Sequence, residues 1–403
     1  MGGEGVADPH ETDHLKEGVG RGAELVPLSP LMTGDPGVGE NGRPKAGIPG
    51  NERPHEFSFF GGGRLAHRAL GAYSLRHQPM SEEKTEPNPI QWGYSLENVA
   101  EIMQPCLEAR GTRTLLEIGS FAGELTESLL EWGTPKGIEI STVEPLPPDA
   151  LRAVVERHPE LKLIEDTGVG ALDGLDALPD TVIIDGDHNY YTLSCELDKI
   201  AEMAGDDPLP LILFHDVCWP HERRDTYYAP ERVPESERPP IAKDCTIEPG
   251  NPGLSDGGLP YEYAAAHEGG PKNGVLTAIE DFMERRGGLR LAVVPVFFGM
   301  GALWEESEPY ADAVAESIAP YDRNPVMERA EANRVALLVR THKDAKTIRE
   351  QNQRIAEYEE LLGRMLQSSA LGIAERISKV RQRGNPIFTR QEIQDRLDGR
   401  PIS

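Results

Sequence analysis

Residues 183–191, IIDGDHNYY, run from an apolar stretch straight into Asp185, Asp187 and His188, and further along LILFHDV ends in His215 and Asp216. Hard cations want carboxylate oxygens drawn from more than one segment, whereas a general base must come within hydrogen-bond reach of the hydroxyl it deprotonates. Asp185 and Asp216 suit the first role with His215 beside them, and Asp187 or His188 suits the second. A sugar hydroxyl is a poor nucleophile near neutral pH, so a cation and a base together would both activate it and hold it in line with an electrophile. The rival reading has His215 capping its strand on backbone and Asp185 contacting only the amino group of a cofactor.

A second group of residues lies earlier, in LLEIGSFAGELT, where Glu117, Gly119, Ser120 and Gly123 occupy a strand-to-helix junction. Glycine permits a tight turn and a close approach of the following helix. Glu144 follows the next strand, 21 residues after Gly123, where a carboxylate can accept both hydroxyls of a ribose. Glu139 is a rival acid but lies within the strand. The chain has neither GxGxxG nor GxxxxGK[ST] at this turn, so pyrophosphate and triphosphate lack their usual seats.

These residues sit at the ends of regularly alternating segments. TRTLLEIG, KGIEISTVEP, LKLIEDT, DTVIIDGD and PLILFHDV have the composition of buried strands; GELTESLLEWG, PPDALRAVVERH and NYYTLSCELDKIAEMA are helical, and LENVAEIMQPCLEAR precedes them as a helix capped by Ser95. Mostly apolar strands alternating with helices predict a doubly wound, Rossmann-like α/β sheet, parallel with helices on both faces. Such sheets bind ligands at the carboxyl ends of their strands, which is where both groups fall. After Val217 the alternation breaks for more than fifty residues rich in Pro, Gly and Tyr before the helix NGVLTAIEDFMERR; so long an interruption inside a compact domain reads as a substrate-binding lid over 217–272. Its start carries Trp219, His221, Arg223, Arg224, Tyr227 and Tyr228, aromatics and arginines suited to a polar, glycosylated substrate. LRLAVVPVFFGMGALWEE supplies two closing strands. Beyond about residue 320 the chain turns helical, with Ile348, Ile355 and Leu362 seven apart and Tyr358 and Met365 on the adjoining stripe. That spacing fits either a short dimer-forming coiled coil or a helix lying on its own domain.

Composition narrows the function classes. The 403 residues carry 41 Lys and Arg against 68 Asp and Glu, a formal charge of -27, which repels a phosphate backbone and argues against nucleic-acid partners. Four cysteines show no short zinc spacing and no stretch is long and apolar enough to span a bilayer, so a cytoplasmic setting is expected. Residues 1–55 are rich in Gly, Pro and acids without periodicity, the composition of a disordered tail.

EIGSFAGELT resembles the first motif of class I S-adenosylmethionine-dependent methyltransferases. IDGDHNYYTLSCELDKI, LFHDV and GVLTAIEDF extend the likeness to the metal-dependent O-methyltransferases of sugars and natural products, over about residues 90–305. The resemblance implies a methyltransferase domain over 56–320 whose last strand is antiparallel, followed by a helical extension over 321–403. It implies S-adenosylmethionine held by Glu117, Gly119, Ser120 and Gly123 around the methionine half, Glu144 at the ribose and Asp166 at the adenine amino group; the rival for Asp166 is a turn or helix-capping acid. It further implies Mg²⁺ on Asp185 and on an acidic pair that here reads His215-Asp216, with Asp187 or His188 as base. The expected function is methyl transfer to a hydroxyl of a sugar or glycosylated small molecule. The alternatives are a phenol or carboxylate acceptor, a related metal-dependent hydroxylase, and a silent scaffold assembling through the C-terminal helix.

Overall fold

The computed structural model describes residues 93–382 and 389–399, which fall in one compact unit; the expected 1–55 tail lies outside the described residues. Its centre is a seven-stranded sheet. Strand β1 (Thr114–Ile118) pairs in parallel with β2 (Glu139–Val143) on one side and β4 (Thr181–Ile184) on the other. β3 (Lys162–Ile164) extends the first side, and β5 (Leu211–Phe214) the second. A separate hairpin of β6 (Ile241–Ile247) and β7 (Leu259–Ala265) intervenes in sequence. β8 (Leu289–Val294) and β9 (Met300–Glu305) then complete the large sheet in the order β3-β2-β1-β4-β5-β9-β8. β9 is antiparallel to both neighbours, so it alone opposes the direction of the other six, as expected.

Alternation of side chains along each strand builds two cores, because neighbouring residues point to opposite faces. Leu115, Ile183 and Leu213 join one, against helices α1 (Ala100–Arg110), α2 (Glu124–Gly133), α3 (Asp149–Arg157) and, after β9, α7 (Ala311–Ile318). Leu116, Val182 and Ile212 join the other, against α4 (Gly168–Asp173), α5 (Tyr190–Ala204) and α6 (Val275–Arg286). Ser95 caps the turn that leads into α1, its hydroxyl accepting the Glu97 amide.

The chain winds outward in one direction through β1, β2 and β3 and in the other through β4 and β5. The β1–β4 boundary is therefore the topological switch point at which such sheets open a ligand crevice. Gly119 fixes the two lips against each other. It adopts φ +91°, and a Cβ there would overlap the backbone carbonyl of Asp185. Its closest neighbour is the loop that carries the first group of candidate residues, Asp185, Asp187 and His188.

The 217–272 insertion is not the structureless loop its composition suggests. IAKDCTI and LPYEYAA pair as the β6–β7 hairpin, in which the exposed charges and the proline of an edge ribbon had masked the alternation. It packs on the long helix α8 (Pro325–Gln367) through Ile247 and Leu259 against Val335 and Val339, and Lys343 and Lys346 of α8 pair with Glu248 and Asp256 of the insertion. Beyond Ala345 that helix leaves the domain surface, and Ile348, Ile355, Tyr358, Leu361 and Met365 are exposed. Helices α9 (Ser369–Arg381) and α10 (Arg390–Leu397) follow. Among the described residues no helix is long and apolar enough to cross a membrane.

Candidate active site

The glycine turn follows the carboxyl end of β1, at the switch point. Glu117 is buried at the end of β1, where Thr126 and Thr142 hydroxyls donate to its Oε2 at 2.6 and 2.9 Å. Burial pushes its carboxyl up to about 7, with the two hydroxyls opposing the shift. The acid thus braces the turn from beneath. Ser120 is buried above it with an Oγ that finds no hydrogen-bond partner, an orphan that calls for a ligand or water. Gly123, at φ +89°, begins α2 where a Cβ would press on the Leu151 and Val154 side chains of α3.

Glu144 follows the carboxyl end of β2, its two oxygens accepting the amides of Phe121 and Leu146, each at 3.1 Å. Glu139 opens the same strand at its opposite end, away from the switch point. Phe121 and Leu146 are 63% and 76% exposed, an apolar pair flanking that carboxylate. Thr167, not Asp166, caps α4, accepting the Gly170 amide. Asp166 is exposed, takes the Thr167 amide at 2.7 Å, and leans over the first turn, where a Cβ on Gly170 would overlap it.

At the ends of β4 and β5 the structure brings Asp185, His188, His215 and Asp216 together. His215 Nδ1 lies 3.0 Å from Asp185 Oδ1, and its Nε2 lies 2.8 Å from the Phe297 carbonyl oxygen. His188 Nε2 lies 2.9 Å from Asp216 Oδ2 and 3.5 Å from Asp185 Oδ1. Both partners of His215 accept only, so its imidazole carries two N–H groups and a charge. Burial works against that charge, yet the Asp185 and Asp216 carboxylates raise the imidazole to about 9. His188 is likewise lifted well above the usual histidine range, burial being outweighed chiefly by Asp216; Asp216 is in turn held far below the carboxylate range by His188 and His215 in spite of its burial. Asp216 adopts φ +60°, and its Oδ1 is buried without a hydrogen-bond partner.

Asp187 turns out of this cluster toward the insertion, its Oδ1 accepting the Tyr228 amide at 3.1 Å. Burial raises its carboxyl. Tyr228 is 69% exposed with its ring edge-on to His188 at 5.6 Å. His221 enters from the same segment: it is buried, 4.7 Å from the His188 ring, with Nε2 3.8 Å from Asp216 Oδ1. Burial, reinforced by the neighbouring imidazolium ions, lowers it to about 3 and keeps it neutral. Sequence reasoning had His221 only as one member of a substrate loop; a histidine five residues after an acid at a strand end gives no periodic signal.

The two arginines of the insertion have structural tasks. Arg223 forks onto Glu280 at 2.6 and 2.9 Å, and Arg224 is 1% exposed with its guanidinium on the carbonyls of Ala265, Pro252 and Gly253. Both forks are filled from within the fold. Asp225 fastens the segment: its Oδ1 takes the Tyr190 amide at 2.8 Å and the Gly274 amide at 2.6 Å, and its Oδ2 takes the Tyr227 hydroxyl at 2.8 Å. Neither Asp225 nor the Phe297 carbonyl was legible as part of the site.

No family model and no curated protein matches the chain. Among solved structures it is similar to an SAH-bound methyltransferase of Podospora anserina, at 18% identity and a TM-score of 0.34, over 55% of this chain and 83% of that one. It is similar to a candidate caffeoyl-CoA O-methyltransferase from Staphylococcus aureus, at 12% and 0.31, over 54% and 93%. It is also similar to human N-acetylserotonin methyltransferase in complex with SAM, at 14% and 0.28, over 54% and 56%. At such values neither substrate nor chemistry follows from likeness.

Proposed function

We propose that the protein is an S-adenosylmethionine-dependent O-methyltransferase acting on a hydroxyl of a sugar or glycosylated small molecule. The observation that carries this reading is the juxtaposition at the switch point: Gly119 seats the cofactor turn against the Asp185 backbone, so the Glu144 cradle and the Asp185–Asp216 corner open on one crevice. When bound, the cofactor supplies an electrophilic methyl group on a sulfonium. Glu144 accepts the ribose hydroxyls in place of the Phe121 and Leu146 amides it now holds, the orphaned Ser120 hydroxyl meets the methionine half, and Asp166 lies at the adenine end over α4. A divalent cation held by Asp185 and Asp216 would lower the pKa of the acceptor hydroxyl.

Asp187 is the better-placed base. His188 Nε2 faces Asp185 and Asp216 at 3.5 and 2.9 Å, so it is engaged with the carboxylates that would hold the cation, whereas Asp187 turns out of that cluster and carries a carboxylate whose basicity burial has increased. With the cofactor in place its sulfonium would supply the methyl group to the acceptor oxygen, and Asp187 would take the hydroxyl proton. Exposed Tyr228 beside His188 offers a ring face to a sugar.

The test is transfer of labelled methyl from the cofactor to a panel of glycosides. Asp187→Asn should lower turnover by roughly 10²–10⁴-fold with cofactor affinity unchanged, the range for loss of a general base. Undiminished turnover in that variant would return the role to His188, and no transfer to any hydroxyl would contradict the acceptor class.

A further inference from the structure

Mg²⁺, which the resemblance implies, suits this donor set poorly. Magnesium takes an octahedron of oxygens and keeps several waters, yet three of the five donors that face one another at the ends of β4 and β5 are imidazole nitrogens. Asp185, His215 and Asp216 form one mutually adjacent set, and His188, Asp216 and His221 another that shares Asp216. We infer that this corner binds a first-row transition-metal dication through Asp185, Asp216, His188 and His215, with His221 on its border, and that His188 is a ligand and not a base. The inference rests on the reading of the site given above.

The spacing supports it. Bonds of about 2.1 Å to nitrogen and oxygen give ligand–ligand edges of ~3.0 Å in an octahedron and ~3.4 Å in a tetrahedron. The observed separations are 3.0 Å for Asp185 Oδ1 to His215 Nδ1, 3.5 Å for Asp185 Oδ1 to His188 Nε2, 2.9 Å for Asp216 Oδ2 to His188 Nε2 and 3.7 Å for Asp216 Oδ2 to His215 Nδ1. These four contacts from two strand ends fall near the edge lengths of a coordination polyhedron, and Asp185, His215 and Asp216 already stand mutually adjacent. His215 shows the outer bond of a ligating histidine, Nε2–H to a backbone carbonyl with Nδ1 turned inward, and metal binding there would displace the proton that Nδ1 carries toward Asp185.

Two atoms remain unexplained by an ion-pair network alone. Asp216 is 3% exposed, and its Oδ1 points into the cluster without a hydrogen bond. His188 Nε2 approaches Asp216 closely, yet off the line a hydrogen bond requires. Both are orphans as hydrogen-bonding groups and well placed as ligands. Imidazole and carboxylate together favour the later first-row dications over Mg²⁺.

The full chain, stripped with chelator, is titrated calorimetrically with Mg²⁺, Mn²⁺, Co²⁺ and Zn²⁺ in separate experiments, and the Mn²⁺-loaded protein is examined by electron spin-echo spectroscopy. One equivalent of Mn²⁺, Co²⁺ or Zn²⁺ should bind at least about tenfold more tightly than Mg²⁺, and the echo should carry modulation from ligated ¹⁴N. His215→Asp, replacing a nitrogen by oxygen, should shrink the preference over Mg²⁺ at least severalfold with an unchanged circular dichroism spectrum. If that variant does not fold, the selectivity and nitrogen coupling of the parent decide alone. Equal or tighter Mg²⁺ binding, no bound ion, or an echo without nitrogen coupling overturns the inference. S-adenosylmethionine is titrated into the same stripped sample: its failure to bind would contradict the proposed activity while leaving the metal result standing, whereas cofactor binding by a protein that takes up no transition ion would overturn the metal assignment alone.

Discussion

The Glu196 carboxyl lies buried on α5 against the start of α4, so close that a Cβ on Gly168 would overlap it. Desolvation, with a contribution from Asp187, pushes it up to about 8. Folding therefore favours its protonated form. The associated stability is fully present below the unfolded value of about 4.5 and is lost as pH rises through about 8. Glu196→Gln should remove this dependence: its advantage over the parent in denaturant unfolding should grow from near zero at pH 4.5 to on the order of 2–4 kcal/mol at pH 8. A constant difference across that range would mean the carboxyl is not the titrating group. At this scale the sequence disclosed residues by position at strand ends, which is how Glu144, Asp185 and the His215-Asp216 pair could be found. It did not disclose what each side chain faces. Arg223 and Arg224 look available in one dimension and are engaged in three.

Elements outside the strand ends hold the side chains there in place. The turn between β8 and β9 places Phe297 and Phe298 at φ +52° and +65°, a conformation that costs a bulky residue energy and persists only if neighbours enforce it. Glu331 of α8 does so, accepting the Phe297 amide at 3.0 Å and the Phe298 amide at 2.9 Å while Arg334 closes on both its oxygens. The Phe297 carbonyl held in this way is the one that receives His215 Nε2. Glu331→Ala strands two amides and an arginine and should destabilise the protein by about 2–4 kcal/mol, measurable by denaturant unfolding. It should also shift the His215 ring resonances in an NMR spectrum at temperatures where the variant is folded, and Glu331→Gln, retaining one acceptor, should restore part of each effect. Unshifted His215 resonances would show that the helix does not govern the corner. The parallel strands were legible because buried strands read as apolar runs between helices. The β6–β7 hairpin was not, because it exposes the charges of Lys243, Asp244 and Glu262 and its apolar residues pack on α8.

For the molecule as a whole, the exposed outer half of α8 poses a question of assembly. Ile348 and Ile355 repeat at seven residues, with Tyr358, Leu361 and Met365 alongside, and all five are solvent-exposed in the single chain, whereas the inner half is anchored by Val335, Val339 and Ala345. The heptad was legible in the sequence; the point at which the helix leaves the domain was not, since it depends on the insertion beneath it. A chain ended at Thr347 keeps every one of those anchors and should melt within about 3 °C of the parent with unchanged cofactor affinity. If the stripe joins copies of the chain, sedimentation will show a smaller species. Loss of cofactor affinity on truncation would favour a scaffold in which the helix and the crevice depend on each other. The central claim is that the crevice at the β1–β4 switch point holds S-adenosylmethionine through Glu144, and calorimetric titration of the cofactor into the parent protein and Glu144→Ala tests it most directly. One equivalent should bind the parent and bind the variant at least about tenfold more weakly, the loss expected for two charge-assisted hydrogen bonds; no binding to the parent, or equal affinity in the variant, would contradict it.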